Sequence, residues 1–428
     1  MAAGSIFYLT SLPDPPVLIL LGVFLLTALR QVGSLRLQIW QVMTIGALLV
    51  LLLGEISPEE AFRAVNIDVI IFLFGAFCVG EALNRSGYLA WLGGKVVSRA
   101  RNIDELVLLV LFSTGLLSAV LMNDTVAIMG TPLVLQFSRK FGVSSKLMLF
   151  ALAFGVTTGS VMSPIGNPQN LLIAIEGNLK TPFLTFLCWL AFPTLICLIV
   201  AYAVLKHFFR EEFRKSIEVH SEEQVTDTEL AGFSKIALFI LLTLIICKVF
   251  LVEFLPAWNF NLSWIALLSA SPILLSRKRK KILKNIDWTT LVFFISMFVL
   301  MESVWISGTC QNLLVKLSPQ LSSISMILTL SIVLSQLISN VPFVALYLPV
   351  MGNSVSHGQL MALAAGSTIA GNLLILGAAS NVIIIQNAEK EGQTLSFYDF
   401  FKIGALITAF DAIIYFICIS ILITINFP

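Results

Sequence analysis

Two short polar clusters interrupt strongly apolar runs: Asn123-Asp124-Thr125 in "LMNDTVAIMGTP", and Ser339-Asn340-Val341 in "ISNVPFVALYLP". Amide and hydroxyl side chains are neutral donors and acceptors, and a carboxylate adds a group that takes up a proton or ligates a cation. In hydrocarbon such groups are costly, so they are expected to face a cavity or a partner. Asp124 has two readings. It caps the following helix by bonding the amides of Val126 or Ala127, or it carries a coupling proton or cation; the latter is preferred, and the two can coexist.

Two longer stretches carry related chemistry: "GSVMSPIGNPQNLL", Gly159 to Leu172, and "GSTIAGNLLILGAASN", Gly366 to Asn381. In the first, Pro164 and Pro168 each remove an amide and Gly166 permits unusual dihedrals, so a helix should unwind there. In the second, Gly366, Gly371 and Gly377 with Ala378, Ala379 and Ser380 serve either an unwound segment or close helix packing. Asn372 and Asn381 in the same stretch favour a site.

A helix broken inside a membrane offers N-terminal amides to an anion and free carbonyls to a cation. Asn123, Thr125, Ser339 and Asn340 are expected to supply side-chain ligands. Gly166, Asn167, Asn170, Asn372, Gly377, Ser380 and Asn381 should shape the opposite wall, with Asp124 as the ion-coupling residue. The set suits a small anion or a neutral hydroxylated solute, with Na⁺ or H⁺ as the coupling ion and no cofactor.

Other reactive residues have plainer readings. Asp411, in "ITAFDAIIYF", either pairs with Lys248 or joins a relay, and pairing is preferred. Glu81 and Glu302 lie near span ends, where interfacial solvation or capping suffices. Cysteines 78, 188, 197, 247, 310 and 418 form no CxxC pair, and His207, His220 and His357 are dispersed, so packing rather than metal binding is expected. No HExxH, P-loop or GxSxG pattern is present, and enzymatic chemistry is not expected.

The elements that hold these residues follow from composition. Of 428 residues 58% are hydrophobic and 12% charged, and the mean hydropathy is +0.96, the balance of a polytopic membrane protein. Apolar runs long enough to cross about 30 Å of hydrocarbon recur near 16–29, 37–53, 67–84, 147–176, 182–206, 233–254, 260–276, 288–305, 360–388 and 402–426. The first of these follows a start without a basic n-region and reads as a span, not a cleaved signal. Leu106 to Phe137 would be about 48 Å long as one helix, too long for one crossing and too short for two. A re-entrant hairpin fits, with Asn123 at its tip, and Ser322 to Met351 poses the same problem around Ser339.

The anomalies are related. Asn123 and Asn340 lie 217 positions apart (340 − 123), and at that offset Leu117, Ser118 and Pro132 meet Leu334, Ser335 and Pro349. "EALNRSG" and "ESVWISG", then "GNPQN" and "GAASN", follow in the same order. The expected fold is therefore an all-α polytopic membrane protein of two repeats, 1–209 and 233–428, joined by a polar cytoplasmic linker over 210–232. Five crossings plus one hairpin per repeat make the repeats inverted.

Charge supports the inversion. The loop before the third span carries Glu55, Glu59 and Glu60, whereas its counterpart reads "RKRKK", Arg277 to Lys281. Placing the basic loop in the cytoplasm puts both termini outside. All 26 Lys and Arg except Arg63, Lys180, Lys248 and Lys316 then fall inside.

These four segments resemble the ion transporter superfamily of arsenite permeases, NhaD-type Na⁺/H⁺ antiporters, and divalent-anion and citrate carriers. The resemblance runs over nearly the whole chain and implies a homodimer in which a transport domain moves against a scaffold like an elevator. Carboxylate carriers of the superfamily show Ser-Asn-Thr at both tips. With Asp124 at the first tip and Val341 at the other, this chain is more similar to the arsenite permease or antiporter branch, and "GNPQN" resembles uncharacterised anion permeases. The expected function is secondary transport of a small anion or oxyanion at the plasma (inner) membrane. Alternatives are a Na⁺- or H⁺-coupled di- or tricarboxylate symporter, a Na⁺/H⁺ antiporter and, outside carriers, an ion channel. The partners are the substrate and the bilayer, with no nucleic acid.

Overall fold

The computed structural model describes residues 14–29, 31–32, 35–36, 38–88, 91, 95, 100–215, 227–254, 261–308, 323–352, 355–425 and 427. Residues 216–226 of the linker expected over 210–232, His220 among them, lie outside the described residues, as do Cys310 and Lys316. The chain forms two compact units, Met1–Asn66 with Val292–Ser318, and Ile67–Leu291 with Pro319–Pro428.

In the smaller unit, helices Pro15–Leu29 and Ile39–Leu52 pack together. Gly46 sits at their contact, where a Cβ would lie 2.6 Å from Val23 Cγ2. A two-residue antiparallel ladder, Gln31 opposite Arg36 and Val32 opposite Leu35, joins them. Among the described residues it is the one strand pairing. Thr44 Oγ1 and Ser296 Oγ meet at 3.0 Å, so Ile39–Leu52 also contacts the chain that follows Val292.

Among the described residues, six helices are long and apolar enough to cross a membrane: Ile67–Arg85, Ile103–Leu121, Pro182–Phe208, Thr228–Cys247, Trp288–Ile306 and Phe397–Thr424. Spans expected near 67–84, 182–206, 288–305 and 402–426 are thus single helices. The runs at 147–176 and 360–388 are not. Each is interrupted, the first between Ser145–Ser160 and Pro168–Glu176, the second between His357–Ile369 and Ala379–Lys390.

In the larger unit both segments expected to be hairpins are pairs of helices joined at a kink. The first has arms Ile103–Leu121 and Asn123–Phe141, the second Ile324–Ile338 and Asn340–Met351. One residue separates the arms in each, too short a link for a loop but enough for a kink.

The hairpins lock onto the broken spans through small residues. A Cβ on Gly155 would meet Thr114 Oγ1 and come within 2.9 Å of Leu111 O, and one on Gly159 would fall onto the Gly115 backbone. In the second half a Cβ on Gly366 would lie 2.8 Å from Ser331 Cβ and 3.2 Å from Leu328 Cα. Thr114 and Leu111 correspond to Ser331 and Leu328 at the hairpin offset, so one contact recurs in both halves. Without a hydrophobic drive between helices in lipid, such close backbone approach supplies the dispersion that holds them. The returning arms cross over. Asn123–Phe141 packs on Ala379–Lys390 of the second broken span, and Asn340–Met351 packs on Pro168–Glu176 of the first.

Candidate substrate and ion site

The first hairpin kinks at Met122, with φ 68° and ψ 143°. The helix beyond it starts at once, since Val126 N donates to Met122 O at 3.2 Å. Asn123 N donates to Gly166 O at 2.8 Å, tying the tip to the break of the first broken span. Asn123 Oδ1 accepts from Asp124 N at 2.9 Å. Thr125 presses its methyl on Gly80, where a Cβ would lie 2.5 Å away.

Asp124 is 9% exposed, and its Oδ1 has no hydrogen-bond partner among the described residues. The Val126 amide is used by Met122 O, so capping by Asp124, the plainer of its two readings, is not what occupies that amide.

The second hairpin kinks at Ser339, with φ 71° and ψ 156°, and Phe343 N donates to Ser339 O at 3.2 Å. Asn340 is buried and its Oδ1 has no partner among the described residues. Gln336, a residue sequence reasoning passed over, donates Nε2 to Ala370 O at 2.7 Å. Its Oε1 fills the space beside Gly377, where a Cβ would lie 2.7 Å away. This hairpin too is tied to a break in its own half.

In the first break, Asn167 caps the following helix by accepting from Asn170 N at 2.9 Å. Its Nδ2 reaches Ser160 Oγ at 3.0 Å and Thr368 Oγ1 at 3.2 Å. Asn170 Nδ2 shares its two hydrogens among three freed carbonyls, those of Ser160 at 3.2 Å, Val161 at 3.3 Å and Ser163 at 3.0 Å. Asn170 Oδ1 accepts from Thr368 Oγ1 at 3.3 Å. A side chain on Gly166 would overlap the Ser160 carbonyl.

The second break contains two tight turns, Ala370–Asn372 and Ile375–Gly377. Asn381 Nδ2 donates to Gly371 O at 2.6 Å. Asn372 Nδ2 donates to Thr158 Oγ1 and to Asp411 Oδ2, both at 3.0 Å. Ser380 Oγ and Asn381 Oδ1 are buried without a partner among the described residues.

The structure therefore sorts the expected residues. Asn123, Gly166, Asn167 and Asn170 form one bonded group, and Gly377 and Asn381 lie in another that includes Gln336. Thr368 and Thr158 join the two broken spans. Asn167 and Asn170 spend their polar atoms on the protein itself, while Asp124, Asn340, Ser380 and Asn381 each keep a free oxygen. Ser160, Thr158, Thr368 and Gln336 were missed from sequence, and Gly371 was read only as part of the break. A signal was there: Asn170 and Asn381 lie 211 positions apart (381 − 170), as do Ser160 and Gly371, and Thr157 and Thr368. The Lys248 side chain, the partner expected for Asp411, lies outside the described residues.

A solved transporter, YdaH of Alcanivorax borkumensis, superposes with a TM-score of 0.60 over 96% of this chain and 98% of that one, at 13% identity. MtrF of Neisseria gonorrhoeae, placed in a class of antimetabolite efflux pumps, gives 0.52 over 96% and 95%, at 14%. At such identity the likeness is one of fold. An uncharacterized transporter of Mycobacterium tuberculosis is 26% identical, covering 88% of this chain and 92% of its own. A silicon efflux transporter of Oryza sativa subsp. japonica is 26% identical over 81% and 84%. The mouse P protein is 24% identical over 81% of this chain and 53% of its own. The citrate transporter model CitMHS matches residues 17–360, and the chain, a multi-pass membrane transporter and not an enzyme, belongs to that family.

Proposed function

We propose that the protein is a secondary transporter of a small oxyanion or its neutral hydroxylated acid, with the substrate held between the hairpin tips and the breaks in both broken spans. The observation that carries this reading is a set of four helix starts at the interruptions, three of them with free acceptor oxygens. Helices begin at Asn123, Asn340, Pro168 and Ala379, directly after the four interruptions. Their amides favour negative charge. Beside them stand Asp124 Oδ1, Asn340 Oδ1, Ser380 Oγ and Asn381 Oδ1, which accept hydrogen bonds from hydroxyl groups. Donors and acceptors together match a ligand that is both anionic and hydroxylated. The silicon efflux relative points to the same class, with an arsenite-like substrate first.

The chain is read as two inverted repeats, 1–209 and 233–428, each of five crossings and one re-entrant hairpin, working as a homodimer by elevator-type alternating access at the plasma (inner) membrane. The kinks at Met122 and Ser339 and the recurring glycine contacts support the duplication. Ion pairs Arg139–Glu391 at 3.2 Å and Lys146–Asp399 at 3.1 Å join segments that the charge pattern assigns to the cytoplasm. Asp124 binds the coupling H⁺ or Na⁺, because it breaks the likeness between tips: its counterpart is Val341.

The family model's citrate description favours an alternative reading, Na⁺- or H⁺-coupled carboxylate uptake. A thermal-shift screen with arsenite, antimonite, silicic acid, citrate, dicarboxylates, sulfate and phosphate, each with and without Na⁺, separates the two. Stabilisation by the oxyacids supports the first reading, and stabilisation by citrate alone replaces it. In proteoliposomes D124N is expected to abolish gradient-driven uptake, and unchanged uptake rejects the coupling role.

A further inference from the structure

Another buried acid stands apart from the hairpin tips. Asp411 is 0% exposed in the long helix Phe397–Thr424. Its Oδ2 accepts from Asn372 Nδ2 at 3.0 Å, and its Oδ1 has no hydrogen-bond partner among the described residues. Pro182–Phe208, Ile324–Ile338, His357–Ile369 and the Ala370–Asn372 turn pack against this helix. From Pro182–Phe208 the Cys197 thiol faces the carboxyl, and Tyr415 and Cys418 of its own helix flank that thiol. Tyr415 is engaged with Thr194 Oγ1 at 2.7 Å. No salt bridge to Asp411 exists among the described residues.

An ionised carboxylate so placed would forfeit its hydration for a single amide donor. A neutral acid fits better: one oxygen accepts from Asn372 and the other carries a hydrogen. The Cys197 sulfur at the carboxyl is a soft neighbour, unlike the all-oxygen set that a hard cation takes.

The contact is also mechanical. The Asn372 carbonyl presses on Gly404, where a Cβ would overlap it, so the turn of the second broken span is seated on the Asp411 helix. Asn372 itself ends that turn and bonds Thr158 of the first broken span. Any motion that rewinds or shifts the break moves the amide donor of Asp411 and leaves it only the weak thiol donor of Cys197.

We propose that Asp411 is a proton-binding site, separate from Asp124, loaded while Asn372 bonds it and unloaded when the second broken span shifts and admits water. The step breaks the Asp411 O–H bond and passes the proton to water, leaving the carboxylate hydrated. Release during a transport cycle rests on the carrier reading above. Occupancy by a proton does not.

Infrared spectroscopy of the full-length protein in nanodiscs, with ¹³C-labelled aspartate, tests the site without a substrate. At neutral pH a protonated-carboxyl band is expected in wild type and in D124N, and is expected to be lost when D411N is combined with D124N. N372A, which keeps the acid, is expected to shift that band by removing its hydrogen bond. The proposal is overturned if D124N shows no such band, if adding D411N to D124N leaves the band intact, or if Na⁺ at constant pH abolishes it in D124N. If D411N does not fold, an unshifted band in N372A overturns it equally. Failure of every probe to stabilise the protein would overturn the carrier reading and leave the infrared result to judge Asp411.

Discussion

Met122 and Ser339 hold the same unusual backbone conformation, φ 68° with ψ 143° and φ 71° with ψ 156°, and each stands directly before the asparagine that starts a returning arm. Residues with a Cβ rarely adopt positive φ, and holding one there costs about 1–3 kcal/mol. A kink made this way turns the chain in one residue, leaves both arms helical, and sets an asparagine at the tip.

Ser339→Gly should therefore stabilise the folded protein by about 1 kcal/mol, because glycine takes this conformation without steric penalty. Transport should fall if the hydroxyl is a ligand as proposed. Thermal unfolding in detergent and uptake in proteoliposomes measure the two separately. A lower midpoint would mean that the hydroxyl supports the tip more than the backbone strains it. The same change at Met122 is not a clean test, since Met122 is 1% exposed and its packing would be lost.

Asn170 and Asn381 make one bond in common, amide nitrogen to a carbonyl at or just beyond the end of the preceding helix, Ser160 O at 3.2 Å and Gly371 O at 2.6 Å. Asn170 also serves Val161 and Ser163. Leaving a buried carbonyl unpaired costs about 1–3 kcal/mol. Asn170→Ala should thus destabilise by about 3 kcal/mol and Asn381→Ala by about 1 kcal/mol, read as unfolding midpoints at matched pH. Aspartate at position 170 cannot donate and should be no better than alanine. Equal effects at both positions would remove the distinction between a staple and a ligand.

The asparagines were legible in the sequence and their division of labour was not. Prolines and glycines marked the two broken spans, because a break is favoured by residues that lack an amide or a Cβ, and segment length with the offset between halves marked the hairpin tips. Which amide atoms are spent on the protein depends on where a carbonyl from another turn falls. Asn167 and Asn170 resemble Asn340 and Asn381 in the sequence, yet only the latter two keep an unpartnered oxygen. Gln336 was illegible for a related reason: a lone amide in "LSQLI" has no local signature, and its role comes from Ala370 across the fold.

Helix contact inside the larger unit rests on glycines that face backbone. Gly159→Ala would put a methyl onto the Gly115 backbone, which has no side chain to turn aside. Overpacking of this kind costs about 1–3 kcal/mol and more where backbone must move. The variant should express poorly and unfold early. Gly232→Ala, with nothing within 4 Å of its added Cβ, should be neutral or up to about 1 kcal/mol stabilising through helix propensity. Equal losses in both variants, compared by fluorescence-detected gel filtration, would argue against the packing explanation.

A charge contact outside the spans should show in the pH profile. Asp227 Oδ2 and Lys278 Nζ lie 2.6 Å apart, with Glu229 also 3.3 Å from the lysine. The lysine's hydrogen bond holds Asp227 below the usual carboxylate range, and the aspartate in turn raises Lys278 above its ordinary value. A lowered acid favours the folded state above its ordinary range, and that contribution is lost as pH falls through the lowered value. A raised base contributes at neutral pH and loses its part only as pH climbs past the ordinary lysine range. The pair's contribution should be flat across neutral pH, fade in acid and shrink with salt. Asp227→Asn isolates it, since asparagine still accepts the Leu230 amide that Asp227 Oδ1 holds at 3.0 Å. The difference in unfolding midpoint between wild type and this variant should close in acid, and a difference that persists there would assign the effect to something other than the ion pair.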